Sequence, residues 1–420
     1  MTSTSSSRPT ETISFLELVL SPDFRADPYP GWARLRATSP VHHTELGAWV
    51  LTRHEDVTTI LRDPRTSTDA TNAALFEQYE DGQGSSARMF GDLDEGEEDA
   101  RPILFTDPPE HTHLRRLVSH AFTPRTVEAL TPRIEQLVDG LLDDLAARGG
   151  VVDLVEDYAY PIPVTVICEM MGVPTADHET FAGWSRILAA SIDPVVLRSA
   201  EQEAEIQATI DLFAAYFEKL IEQRRADPGD DVLSSLIATE EDGESLTHGQ
   251  LIAQAMFLLV AGHETTVNLV SNGVRALLAH PDQLARLRDD PALDKVATEE
   301  MLRYDSPVQF SMRIAMADME FSGVSIPEGS VILAIIGAAN RDPEVFDGPD
   351  RLDVTRADNR HIGFGGGAHF CLGAPLARLE GRIAITRLIR RFPELALAGE
   401  PVARETFTLR GLSRLPVTLS

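Results

Sequence analysis

Residues 361–380, HIGFGGGAHFCLGAPLARLE, bring one cysteine, two histidines and five glycines to the start of a helix-like run. Cys371 lies just before APLARLEGRIAITRLIRRF, where Pro375 suits a first turn and Leu376, Leu379, Ile383 and Leu388 form a helical stripe. A cysteine at a helix N-terminus meets partial positive charge and free N–H groups, which favour its thiolate. Such a thiolate is a nucleophile if His369 acts as its base, or a metal ligand; an inert buried thiol is the third reading. The flanking glycines let the backbone come close to something large and flat. Gly363, Gly365 and Ala368 also satisfy the dinucleotide pattern G-x-G-x-x-[GA]. Its context fails, because TRADNRH before it is no buried strand and no parallel βαβ unit follows.

A second polar group sits where a polar group is costly. From Thr247, with Gln250 completing a T-x-x-Q capping box, the spacing predicts one helix running to Pro281. At 1.5 Å per residue it is about 50 Å long, and Met256 to Ala261 are apolar all round, so it crosses the core. His263, Glu264, Thr265 and Thr266 follow directly, and buried ionisable groups cost several kcal/mol unless paired or used. His263-Glu264 begins like a zinc-protease H-E-x-x-H, but position 267 is Val and the second ligand is missing. His111 and His113 lack a nearby third ligand. Glu300 and Arg303 form an i,i+3 pair, which on a surface is worth a few tenths of a kcal/mol. Cys168, in VTVICEMMGVP, reads as a core residue.

The elements that position these groups are mostly helical. A helix over 126–150 carries Leu130, Ile134, Leu137, Leu141 and Leu145 on one face; another leads to Pro228-Gly229. Residues 48–53, 312–337 and the C-terminal stretch alternate as short strands. The fold class is therefore mainly α with small β-sheets. We expect a disordered tail over 1–14, one domain over 15–420, and a long exposed loop around 91–100. With 66 Asp and Glu against 37 Lys and Arg, the net charge of −29 disfavours nucleic acid. Two cysteines exclude a disulfide framework and a four-cysteine cluster, and they suit a reduced cytoplasmic setting. No apolar run is long enough for a membrane anchor.

FGGGAHFCLG (364–373) matches F-x-x-G-x-[HR]-x-C-x-G at every specified position, and the chain resembles the soluble bacterial cytochrome P-450 monooxygenases. AGHETT (261–266) is similar to the family's oxygen-activating stretch and EMLR (300–303) to its E-x-x-R pair. DPPEHTHLRR (107–116) is similar to its propionate-binding segment, and NRDPEVFDGPDRLDVTR (340–356) to the approach to the haem loop. The resemblance spans from about residue 27 to the C-terminus.

This resemblance implies haem b (iron protoporphyrin IX) with Cys371 as the iron ligand and Phe364, Gly365 and Gly373 around the sulfur. His111, Arg115, Arg313 and His369 would meet the propionates, and Ala261 would lie beside dioxygen where the helix is locally kinked. Glu264 and Thr265 would handle protons and oxygen, while Glu300 and Arg303 would lock the fold with Arg351 or Arg356. His263 is expected to face away from the haem. A lipophilic small-molecule substrate would meet the loop around 85–105, Phe257, Ala261, Val308 to Phe310 and Leu412. Electrons from NAD(P)H would arrive through a ferredoxin and its reductase, with Arg378, Arg382, Arg387, Arg390 and Arg391 forming a docking patch. A peroxide-driven peroxygenase and a non-catalytic haem sensor are the alternatives, and Glu264-Thr265 argues against both.

Overall fold

The chain was analysed as a computed structural model that describes residues 14–74, 100–193, 198–238, 240–241 and 244–419. The expected tail, apart from Ser14, and the expected loop over 91–100, apart from Ala100, lie outside the described residues.

The long helix forms as the sequence dictates, over His248–Ala279. Thr247 Oγ1 accepts the Gln250 N–H at 3.2 Å and Gln250 Oε1 accepts the Thr247 N–H at 3.0 Å, so the capping box closes both ways. This central helix packs on Pro161–Met170 and on Ala374–Arg391, the helix after Cys371. Their apolar faces build the largest core, which holds Leu251, Met256, Leu259, Val267, Val270, Ile383 and Leu388. The helix is unbroken through Ala261 and Gly262, unlike the expected kink. The Thr265 hydroxyl donates to the Ala261 carbonyl at 3.0 Å, a bond back along the helix made without opening the turn.

The helix expected over 126–150 divides in two, Pro124–Ala129 and Thr131–Arg148. Pro132 has no N–H to donate back across the junction, so a new helix starts there. Its buried face is Ile134, Val138, Leu142 and Leu145, and Leu137 and Leu141 are only partly covered.

The main sheet collects strands from both ends of the chain. Strands β1 (Val41–His43), β2 (Trp49–Leu51), β3 (Thr66–Ser67), β4 (Ser311–Ala315) and β5 (Val331–Ala334) run in the order β1-β2-β5-β4-β3. Only β2 and β5 are parallel, with Val50 opposite Leu333. Smaller sheets include Val402–Ala403 paired with Leu412–Arg414, a hairpin laid against the central helix. No helix among the described residues is long and apolar enough to cross a membrane.

A buried carboxylate in the core has no ion-pair partner among the described residues. Glu380, on the helix after Cys371, is 1% exposed with both oxygens lacking a well-formed hydrogen bond. Burial pushes its pKa from 4.5 up to about 8, with Thr266 pulling weakly the other way. The folded chain thus keeps a proton that the unfolded chain releases, so this stability is full below pH 4.5 and drains away as pH rises to about 8. Glu380→Gln removes the titration. Urea unfolding from pH 5 to 8 should show wild type losing stability relative to the variant; parallel profiles would refute the assignment.

Candidate active site

The loop before Cys371 is held by its own backbone. The Cys371 N–H donates to Phe364 O at 3.0 Å and the Gly365 N–H to Ile362 O at 2.8 Å. Gly365 and Gly367 have φ of 70° and 68°. A Cβ on Gly367 would lie 2.4 Å from the Leu61 carbonyl oxygen, so this glycine answers a close approach of protein backbone. Cys371 is exposed as a residue, in contrast to buried Cys168. Desolvation raises the Cys371 pKa, while the N–H groups of Gly373 and Ala374 and the charges of Arg115 and Arg378 pull against it.

Four basic or imidazole side chains converge beside this loop from three elements. His111 and Arg115 come from the helix Glu110–Ser119, Arg313 from β4, and His369 from the cysteine loop. The rings of His111 and His369 stand 4.1 Å apart. Arg115 donates to Phe370 O at 2.7 Å, and Arg313 to Ser311 Oγ and Met312 O, each at 2.7 Å. Burial, with His111, Arg313 and Arg115, pushes His369 down to about 3, so it is neutral and a poor base for a thiol nucleophile. Burial brings Arg313 down to about 10, opposed by Asp107. His111 Nε2 is buried with no partner. A site so rich in donors, with Asp107 as its carboxylate, suits an anionic ligand. Asp107 also accepts the Thr68 N–H at 2.9 Å and the Ser67 hydroxyl, a role its sequence context did not reveal.

On the central helix, Phe257, Ala261 and Thr265 are partly exposed at i, i+4, i+8, within a stretch buried on nearly every other side. They form one open stripe. Glu264 turns to the adjoining face, buried, where Arg404 Nη1 donates to its Oε2 at 2.6 Å. Burial would raise the Glu264 pKa, but His263, Arg404 and Arg186 hold it below the usual carboxylate range. Arg404 comes from the C-terminal hairpin region, 140 residues away, and was not foreseen. His263 packs edge-on to Tyr160 at 5.7 Å and donates Nδ1–H to Leu259 O at 2.9 Å, away from the open stripe.

Glu300 and Arg303 are fully buried. Arg303 makes a two-pronged pair to Glu300 at 2.7 and 2.9 Å and donates to the carbonyls of Asn340, Pro349 and Arg351. Arg356 completes the network, its Nε 3.1 Å from Glu300 Oε2, whereas Arg351 turns to Asp353.

The residues expected to meet substrate fall in separate groups: Phe257 packs against the core that holds Leu412, and Phe310 lies apart. Phe257 and Ala261 share the open stripe, and Val308 bridges to Leu409. Phe310 instead packs on Phe407 at 4.9 Å, in a separate cluster with Phe15 and Trp32, and Leu412 lies in the main core. Of the loop around 85–105, residues 85–99 lie outside the described residues, and Ile103 and Phe105 join the main core. The expected basic patch is largely neutralised. Arg378 pairs with Glu299, Arg387 with Glu135 and Asp139, Arg390 with Asp294, and Arg391 with Asp143. His111 and His113 are no metal pair, and no group of three His, Cys, Asp or Glu among the described residues is placed to hold a metal ion.

A flat, doubly anionic group whose metal accepts one sulfur fits this donor set. The family model described as Cytochrome P450 matches residues 65–416. The vitamin D(3) 25-hydroxylase of Pseudonocardia autotrophica is 44% identical over 409 residues, 96% of each chain. The 6-deoxyerythronolide B hydroxylase of Saccharopolyspora erythraea is 41% identical over 411 residues, covering 95% of this chain and 98% of its own. Among solved structures, the cytochrome P450 PksS of the Bacillus subtilis 168 bacillaene polyketide synthase superposes with a TM-score of 0.85. It is 38% identical, covering 95% of this chain and 98% of that one.

Proposed function

Because the chain belongs to the cytochrome P450 family of haem monooxygenases, we propose that it hydroxylates a lipophilic small molecule with electrons from a separate ferredoxin and its NAD(P)H-dependent reductase. The observation that carries this reading is the Glu264-Thr265 pair, with Thr265 on the open stripe and Glu264 tied to Arg404 behind it. Haem b held by Cys371 supplies dioxygen activation for insertion into a C–H bond. His111, Arg115, Arg313 and His369 would hold its propionates, two carboxylates that need such partners when buried.

The protein's own task is to deliver protons to one side of the site. Thr265 offers a hydroxyl oxygen there while its O–H donates to the Ala261 carbonyl. His263 and Arg404 hold the Glu264 pKa down and Arg404 turns it from the stripe, so relay requires Glu264 to leave that pair, take a proton and return it toward Thr265. Phe257 and Ala261 present an apolar surface, which suits a lipophilic substrate. Relatives named for vitamin D(3) and for 6-deoxyerythronolide B support a bulky polycyclic or macrolactone skeleton. Two cysteines leave no four-cysteine cluster in this sequence, which supports a separate iron–sulfur electron donor.

Glu264→Gln keeps size and burial but cannot carry a proton. Product formation driven by dioxygen, ferredoxin and NAD(P)H should fall by about 100-fold or more, while peroxide-driven product formation persists. A peroxygenase or a sensor would show no such split, and equal rates of wild type and variant in the dioxygen assay would overturn the reading.

A further inference from the structure

Arg378 lies elsewhere than on a free docking face. Its guanidinium sits over the Phe364 ring at 4.4 Å from the centroid. The same guanidinium grips Glu299 with two prongs, Nε to Oε1 at 2.7 Å and Nη2 to Oε2 at 2.9 Å. The second oxygen of Glu299 also receives His361 Nε2 at 2.9 Å, and His361 Nδ1 accepts the Gly363 N–H at 3.1 Å. Those two bonds fix the tautomer of His361, with the proton on Nε2. Glu299 thus clamps Phe364 twice, through the cation on its ring and through the backbone just before it. The Phe364 carbonyl in turn accepts the Cys371 N–H. The neighbouring Glu300 faces the core network instead, so adjacent glutamates of one helix serve different sites.

We propose that Glu299, Arg378 and His361 form a positioning clamp on Phe364 that sets the reduction potential of the metal bound at Cys371. The inference rests on Cys371 being the thiolate ligand. Reduction adds negative charge beside the sulfur, so a nearby cation favours the reduced state and a nearby carboxylate opposes it. Arg378 and Glu299 oppose each other as a pair, and removing either one uncovers the other. The two deletions should therefore shift the potential in opposite directions, whereas a patch that only docks a partner would leave the potential of the isolated chain unchanged.

The test is a spectroelectrochemical titration of the substrate-free, haem-loaded full chain, without ferredoxin. Arg378→Met keeps an apolar stem and should move the potential negative; Glu299→Gln should move it positive. Each shift should be a three- to tenfold change in the one-electron equilibrium, about 30 to 60 mV. Arg378→Lys restores the charge and should return most of the shift, which covers the event that Arg378→Met folds poorly. Potentials unchanged, or shifted in the same direction, with a normal thiolate-type ferrous–carbonyl band would overturn the clamp. Absence of that band in wild type would instead overturn the assignment of Cys371.

Discussion

Arg303→Leu should lose about 3–5 kcal/mol of stability in urea unfolding and should fail to retain haem. The size follows from what the substitution leaves behind. Glu300 is left in a site with no solvent contact, with Arg356, 9% exposed in its side chain, as its remaining ion partner. The carbonyls of Asn340, Pro349 and Arg351 lose a donor at the same time. Unpaired buried acceptors cost about 1–3 kcal/mol each when nothing replaces the lost bond. Against a total stability of about 5–15 kcal/mol, such a loss takes a large share of the folded population. Arg303→Lys should recover little, because one ammonium cannot make the fork to Glu300 and reach three carbonyls as well. A variant within 1 kcal/mol of wild type would show that the network is ornamental to the fold.

Local physics made part of this molecule legible. The central helix could be read to its cap, since a T-x-x-Q box and a continuous apolar run act within a few residues. The cysteine loop was equally clear, because glycine positions and a proline at the first helical turn leave few alternatives. Pairings between distant elements were not. Nothing around Arg404 signals that the hairpin returns it to Glu264, and nothing at Glu299 signals that it meets Arg378. The arginines after Cys371 looked like an open cationic face because their carboxylates come from other helices. Phe310 was misplaced for a related reason. Alternation along β4 and the residues before it gives two faces, and only the packing of Phe407 decides which face meets the N-terminal cluster.

Opposite environments of the two cysteines make the central claim sharp. Cys168 is buried in the helix Pro161–Met170, where desolvation and the neighbouring Glu169 push its thiol up to about 12. It has no path to a metal, and Cys168→Ser should cost stability, about 1–3 kcal/mol for a hydroxyl in an apolar site, and nothing else. Cys371 is exposed as a residue; desolvation raises its thiol too, but there the Gly373 and Ala374 N–H groups, Arg115 and Arg378 pull toward the charged form. Serine at 371 preserves volume but offers an oxygen ligand with a far weaker electron push. The decisive measurement is the ferrous–carbonyl difference spectrum of the haem-loaded full chain and of both variants. The account predicts a thiolate-type band in wild type and in Cys168→Ser, and complete loss of that band and of hydroxylation in Cys371→Ser. A thiolate-type band surviving in Cys371→Ser, or vanishing in a folded Cys168→Ser, would contradict it.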